Sequence, residues 1–209
     1  MNALKEAGKR IGFSKYIMFH PFKGFWDLKH DKIGTIGVSS FFVLILSILG
    51  VMNVQLTGFI VNGSDKLSTN VFFVLIRYIA IFLVWVVANW SITTLLDGEG
   101  TVKDIFIATA YALVPYILSN AVMIAMSNFI IAEEATFYYL IQAIGLIWSG
   151  MLLIFGLMTI HQFSFGKTVL TVIIAIVAMI IILFLLLMLL TLLQQMINFV
   201  SLILQEVIA

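Results

Sequence analysis

Apolar residues run along this chain in long unbroken blocks separated by short polar stretches, and the blocks do not alternate with polar positions as half-buried strands would. Five such runs stand out, at about Ile33–Ile60, Val71–Leu96, Ile105–Ile131, Phe137–Ile160 and Val169–Leu193. Each exceeds the roughly 20 residues that carry a helix across about 30 Å of hydrocarbon. Backbone groups in lipid must be satisfied within the segment, so the runs predict helices. The fold class read from this pattern is all-α: a polytopic transmembrane helical bundle of about five spans, with residues 33–193 forming the membrane domain.

Composition supports the same reading. The chain is 63% hydrophobic and only 10% charged, where soluble domains carry roughly 25% charged residues. Net charge is +1, so no basic excess points to nucleic acid, and only the placement of charges informs. Cysteine is absent, which excludes disulfides, thiolate metal sites and a cysteine nucleophile. The first run follows a 32-residue basic and aromatic lead and ends in Asn62-Gly63-Ser64-Asp65 without a small-residue cleavage site, so it reads as a retained span rather than a signal peptide.

Charge placement sets the orientation. Lys5, Lys9, Arg10, Lys15, Lys23, Lys29 and Lys32 precede the first run, and Lys103 and Lys167 follow the second and fourth, which puts nine cations on one side. Lys66 is the basic residue of the other side, with Asp65, Glu133, Glu134 and Glu206. The rule that cytoplasmic loops are rich in Lys and Arg then places the N-terminus in the cytoplasm of a cell-membrane protein and the tail from Gln194 to Ala209 outside. Arg77, inside the second run, lies close enough to the outer boundary to snorkel or to meet Glu133 or Glu134.

Polar segments carry the remaining signals. In the lead, Pro21 suits a first helical turn and Phe22, Phe25 and Trp26 share helical spacing, which predicts a short amphipathic helix in the cytoplasmic headgroup layer. Asp97-Gly98-Glu99-Gly100 reads as a tight turn, and Thr101 with Asp104 as an N-cap with its capping carboxylate. Three carboxylates here are too few and wrongly spaced for a calcium loop. Pro115, in Tyr111-Ala112-Leu113-Val114-Pro115, removes the donor for the Tyr111 carbonyl and predicts a kink in the third span. Ser119 and Asn120, one turn on, are candidates for bonds to neighbouring helices, with a solute or lipid pathway as the minority reading. Pairs of small residues, Ala108 with Ala112, Ala121 with Ala125 and Gly145 with Ser149, mark candidate helix contacts. His20, His30 and His161 lie in separate segments without a ligand at helical spacing, and His161-Gln162 reads as a helix end at the headgroups.

Taken together, the His20 to Lys29 lead (HPFKGFWDLK), the Asp97 to Gly100 turn, the Tyr111 to Pro115 motif and the His161 to Lys167 loop resemble the Yip (Ypt-interacting protein) domain family in its bacterial five-span form, over about Tyr16 to Leu193. That resemblance implies a helical bundle without catalytic residues. Eukaryotic members are associated with small Rab-type GTPases and vesicle traffic, and carry a longer cytosolic N-terminal region than the 32 residues here. The expectation is therefore a non-enzymatic membrane protein without cofactor or metal. Its partners would be membrane lipid and a cytoplasmic or membrane protein, with no nucleic acid. Two functions are carried forward. One is a scaffold or adaptor acting through a cytoplasmic face made of Pro21, Phe22, Phe25, Trp26, Asp97, Gly98, Glu99, Gly100, His161 and Lys167. The other is a transporter or accessory permease subunit, with Arg77, Tyr111, Pro115 and Asn120 as structural or pathway residues. Scarcity of charge within the runs favours the first.

Overall fold

The computed structural model describes residues 2–62 and 69–208, so Asp65 and Lys66 lie outside the described residues. All regular elements within them are helical. Five segments are long and apolar enough to cross a membrane: Ile36–Leu56 (α3), Val71–Leu95 (α4), the pair Val102–Ala112 (α5) and Val114–Met126 (α6), Ala135–His161 (α7) with the 3-10 turn Ala132–Glu134 before it, and most of Phe165–Ile208 (α8). The N-terminal lead is helical as well. It forms α1, Asn2–Phe19, and α2, Pro21–His30, joined at His20.

Local chemistry sets the helix ends. Asn70 caps α4 by accepting from the Phe72 and Phe73 backbone N–H groups, two of the donors a helix start leaves free. Thr101 and Asp104 form the predicted capping box at α5: the Asp104 N–H donates to the Thr101 hydroxyl at 3.3 Å, and the Thr101 N–H donates to the Asp104 carboxylate at 3.0 Å. Gln162 stops α7 in the left-handed region, with φ 56°.

The third span is interrupted between α5 and α6, at the place where Pro115 predicts a kink. α5 ends at Ala112, Leu113 adopts φ −80° and ψ −5°, and α6 starts at Val114 with Pro115 in its first turn. The Leu113 N–H reaches the Thr109 and Tyr111 carbonyls, and the Tyr116 N–H donates to the Ser149 hydroxyl of α7 at 2.9 Å. The Tyr116 N–H released by the proline is thus satisfied by a neighbouring helix, as lipid surroundings require. One turn along α7, a Cβ at Gly145 would collide with the Ser119 side chain, so the bare backbone there admits α6. Gly145 with Ser149 is therefore a true contact face, and Ala108 with Ala112 is buried too. Ala121 and Ala125 are exposed, so that pair meets no other helix of the bundle among the described residues. Ser119 and Asn120 also depart from the expectation, since both donate back to the Tyr116 carbonyl, at 2.9 and 2.8 Å.

A core of Phe42, Phe82, Val86, Ile105, Tyr111, Leu152 and Leu157 fills the space between α3, α4, α5 and α7. Tyr111 is fully buried, edge-on to Phe42 with ring centres 5.1 Å apart, and its hydroxyl donates to the Arg10 carbonyl of α1 at 3.1 Å. It joins the lead to the bundle. Arg77 sits exposed over the Tyr78 ring at 5.6 Å and forms no ion pair with Glu133 or Glu134. Nor does α8 end near Leu193: it continues without interruption to Ile208, because no Gly or Pro follows Gly166 to stop it.

Candidate functional site

The end of the bundle that carries α1 and α2 is where most of the polar loops meet. α2 lies on α7, with Phe25 fully buried and 3.0 Å from where a Gly156 Cβ would stand. Phe22 and Trp26 remain largely exposed, Phe22 against Phe155 at 4.8 Å and Trp26 stacked on His30 at 3.8 Å. The three aromatics therefore do not share one face: Phe25 belongs to the bundle and the other two line its outer edge. Lys29 of the same helix turns toward the bundle. Its ammonium donates to the Ile160 carbonyl at 2.7 Å, near the C-terminal end of α7, and lies 3.5 Å from the Glu99 carboxylate. A cation there complements the negative end of the helix dipole.

The Asp97–Gly100 turn closes over the same point. Asp97 takes φ 57°, a left-handed conformation that Asp tolerates better than bulkier residues. The Gly100 N–H donates to His161 Nδ1 at 3.2 Å. A Cβ at Gly98 would lie 2.5 Å from that nitrogen, and one at Gly100 would lie 2.6 Å from Cε1, so both glycines are required by close approach to the ring. His161 does end α7 as expected, and its ring is buried beneath the turn. Because Nδ1 accepts, the ring proton sits on Nε2, which is buried without a hydrogen-bond partner. Such an orphan costs about 1–3 kcal/mol, a cost that the fit of turn, α2 and α7 must offset.

Lys167 completes the arrangement. Its ammonium donates to the Leu96 carbonyl at the end of α4, at 2.7 Å, and lies 3.9 Å from the Phe163 ring centre. Each of two helix C-termini, α4 and α7, is thus met by a lysine from another element. Phe22, Trp26, Met158, Thr159, Gln162 and Phe163 line an open groove of about 290 Å³ between α2 and the end of α7. Lys23, Asp97, Glu99 and Lys103 are exposed around this end.

Sequence-predicted residues divide accordingly. Pro21, Phe22, Phe25, Trp26, Asp97, Gly98, Glu99, Gly100, His161 and Lys167 come together at one end, although they come from three separate stretches of the chain. Arg77, Tyr111, Pro115 and Asn120 are not gathered into a site: Arg77 is exposed on α4, while the other three are buried in packing. Lys29 and Ile160 are the contributors that pattern reading did not single out. A lysine one turn beyond Phe25 on a short helix was the available signal, but the carbonyl it meets lies 131 residues away.

Five apolar helices, held at one end by side chains that cap one another's termini, define a multi-pass helical membrane protein. Residues 15–192 match the Yip1 domain, and the chain belongs to that family. No curated protein and no solved structure matches the chain.

Proposed function

We propose that this Yip1-domain protein is a non-catalytic membrane scaffold whose α1–α2 end faces the cytoplasm and captures a protein partner. The observation that carries the reading is the gathering of α2, the Asp97–Gly100 turn and the His161–Lys167 loop into one braced surface. Bracing matters because a surface already ordered loses little conformational entropy on binding. Exposed Phe22 and Trp26 beside Lys23, Asp97, Glu99 and Lys103 offer aromatic anchors within a rim of mixed charge, the composition that gives interfaces both affinity and register. In this reading α2 also borders the cytoplasmic headgroups, with Phe22 and Trp26 at their level.

The transporter alternative would use the break at Leu113. The Tyr116 N–H freed there donates to Ser149, and the space beside Gly145 is filled by Ser119; that filling supports the scaffold reading. The test is photocrosslinking from position 23 or 103 in the native membrane, with Trp26→Ala and Asp97→Lys as variants. Both should lower capture of one defined partner several-fold while insertion and thermal stability stay near the parent's. Unchanged capture by both variants, together with solute or lipid movement in reconstituted vesicles that Pro115→Ala abolishes, would replace the scaffold by a transporter. Orientation is checked separately: a reporter after Gly100 should lie in the cytoplasm and one after Ala209 outside.

A further inference from the structure

α8 is too long for the layer it crosses. Its 44 residues extend about 66 Å at 1.5 Å per residue, whereas the hydrocarbon takes about 20 residues upright and about 26 at a 40° tilt. The Lys167 bond to the Leu96 carbonyl fixes where α8 leaves the α1–α2 end. Thr168, Thr171 and Ala175 are buried against the bundle. Residues 172–190 then contain no polar side chain at all. This stretch accounts for the crossing.

Polar residues return where the hydrocarbon is used up, and they return in a pattern. Thr191, Gln194, Gln195, Asn198, Ser201 and Gln205 follow one another at helical steps, within an arc of about 120° at 100° per residue, interrupted once at position 202. Leu192, Met196, Val200 and Ile203 occupy the remainder, with Phe199 and Leu204. Every described side chain from Phe184 to Glu206 is exposed, so nothing among the described residues covers this apolar side. An upright continuation would hold it in water.

We propose that residues 191–206 form an interfacial helix that lies along the leaflet opposite the α1–α2 end, with the Met196, Val200 and Ile203 side in the acyl boundary and the Gln and Asn stripe toward water. The partner is a lipid surface, and it is recognised by apolar insertion rather than by charge, since no basic residue follows Lys167. Thr191 marks the place for the bend. Its hydroxyl donates to the Leu187 carbonyl at 2.9 Å, a back-bond that often accompanies helix bending, and at the membrane boundary water can satisfy backbone groups that a bend releases.

The absence of cysteine makes the test direct. Single cysteines at positions 194, 196, 198, 200, 203 and 205 of the full chain are spin-labelled after reconstitution in phosphatidylcholine vesicles, and collision with oxygen and with a water-soluble nickel chelate is measured. Oxygen should dominate at 196, 200 and 203 and nickel at 194, 198 and 205, with one shallow depth throughout. Adding anionic lipid or salt should leave the profile unchanged. Nickel access that climbs steadily from 194 to 205 would overturn the proposal in favour of an upright helix. Spin–spin broadening at 196 and 200 that vanishes on dilution with unlabelled protein would overturn it in favour of a second copy.

Discussion

The third and fifth spans solve the same problem of crossing hydrocarbon in opposite ways. Most of the α5–α6 span is buried, and its helix is broken at Leu113; α8 is a single unbroken helix almost wholly exposed. Polarity follows burial. Thr109, Asn120 and Ser127 are buried in the broken span, whereas residues 172–190 of α8 have no hydrogen-bonding side chain. A helix surrounded by protein can lose backbone bonds and regain them from neighbours, as the Tyr116 N–H does from Ser149. One surrounded by lipid has no such partner, so it must keep its own ladder intact. The break is therefore a property of the central position, and the uniform apolar sequence is a property of the rim.

The largest effect that would test this contrast lies at Gly145. Valine there would drive its side chain into Ser119 and separate α6 from α7, at a cost of about 3 kcal/mol or more from overpacking. Thermal unfolding in detergent should show a large loss, and Gly145→Ala a smaller one of the same sign. If Gly145→Val is neutral, the close approach of the two helices is wrong.

A second, smaller effect concerns the break itself. Pro115 and Ser149 act on the same backbone groups, so their substitutions should couple. Ser149→Ala leaves the Tyr116 N–H without its partner and should cost about 1–2 kcal/mol. With Pro115→Ala added, the two helices can join and the Tyr116 N–H can return to the Ala112 carbonyl. The double variant should therefore be less destabilised than the sum, by about 1 kcal/mol. Strict additivity in a double-mutant cycle would show that proline alone dictates the break.

What the sequence revealed and what it hid follow the same division between local and distant causes. The spans, the Thr101–Asp104 capping box and the termination of α7 near His161 are local, and each was legible in its own residues. Small-residue spacing was half legible: Gly145 with Ser149 meets a helix, while Ala121 with Ala125 faces outward, and nothing within either pair distinguishes the two environments. α1 was missed because its basic residues obscure Ile11, Ser14 and Ile17 at helical spacing, of which Ile17 is fully buried. The burial of His161 was out of reach, since the turn that covers it lies 61 residues earlier. The length of α8 was readable, because no stop signal separates Leu193 from Gln194.

Lys29 and Glu99 give a finer test at the braced end. Lys29 is mostly buried and also meets the Ile160 carbonyl, while Glu99 is 64% exposed. Lys29→Met should cost about 1 kcal/mol through loss of the α7 terminus contact. Glu99→Gln should cost less than about 0.5 kcal/mol, as exposed ion pairs do. Equal losses, measured by thermal unfolding at low and high salt, would mean that the ion pair rather than the helix terminus is what Lys29 serves.

The smallest expected effect belongs to α8, at Leu187. This residue lies in the all-apolar crossing stretch and is 62% exposed, so in a bilayer its neighbours are acyl chains. Removing one methylene from a well-packed core costs about 0.5–1.5 kcal/mol because the surrounding side chains close the gap only partly. Lipid has no fixed packing and fills the space at once. Leu187→Val should therefore change stability by no more than about 0.5 kcal/mol, and Leu152→Val, at a buried position of α7, should cost about 1 kcal/mol or more. Both variants keep the segment apolar, so insertion is not at issue, and unfolding in the same bicelle gives the comparison directly. A loss at Leu187 as large as that at Leu152 would mean that ordered protein, not lipid, packs against the crossing part of α8, and the contrast between a buried broken span and a free unbroken one would fail at its second term.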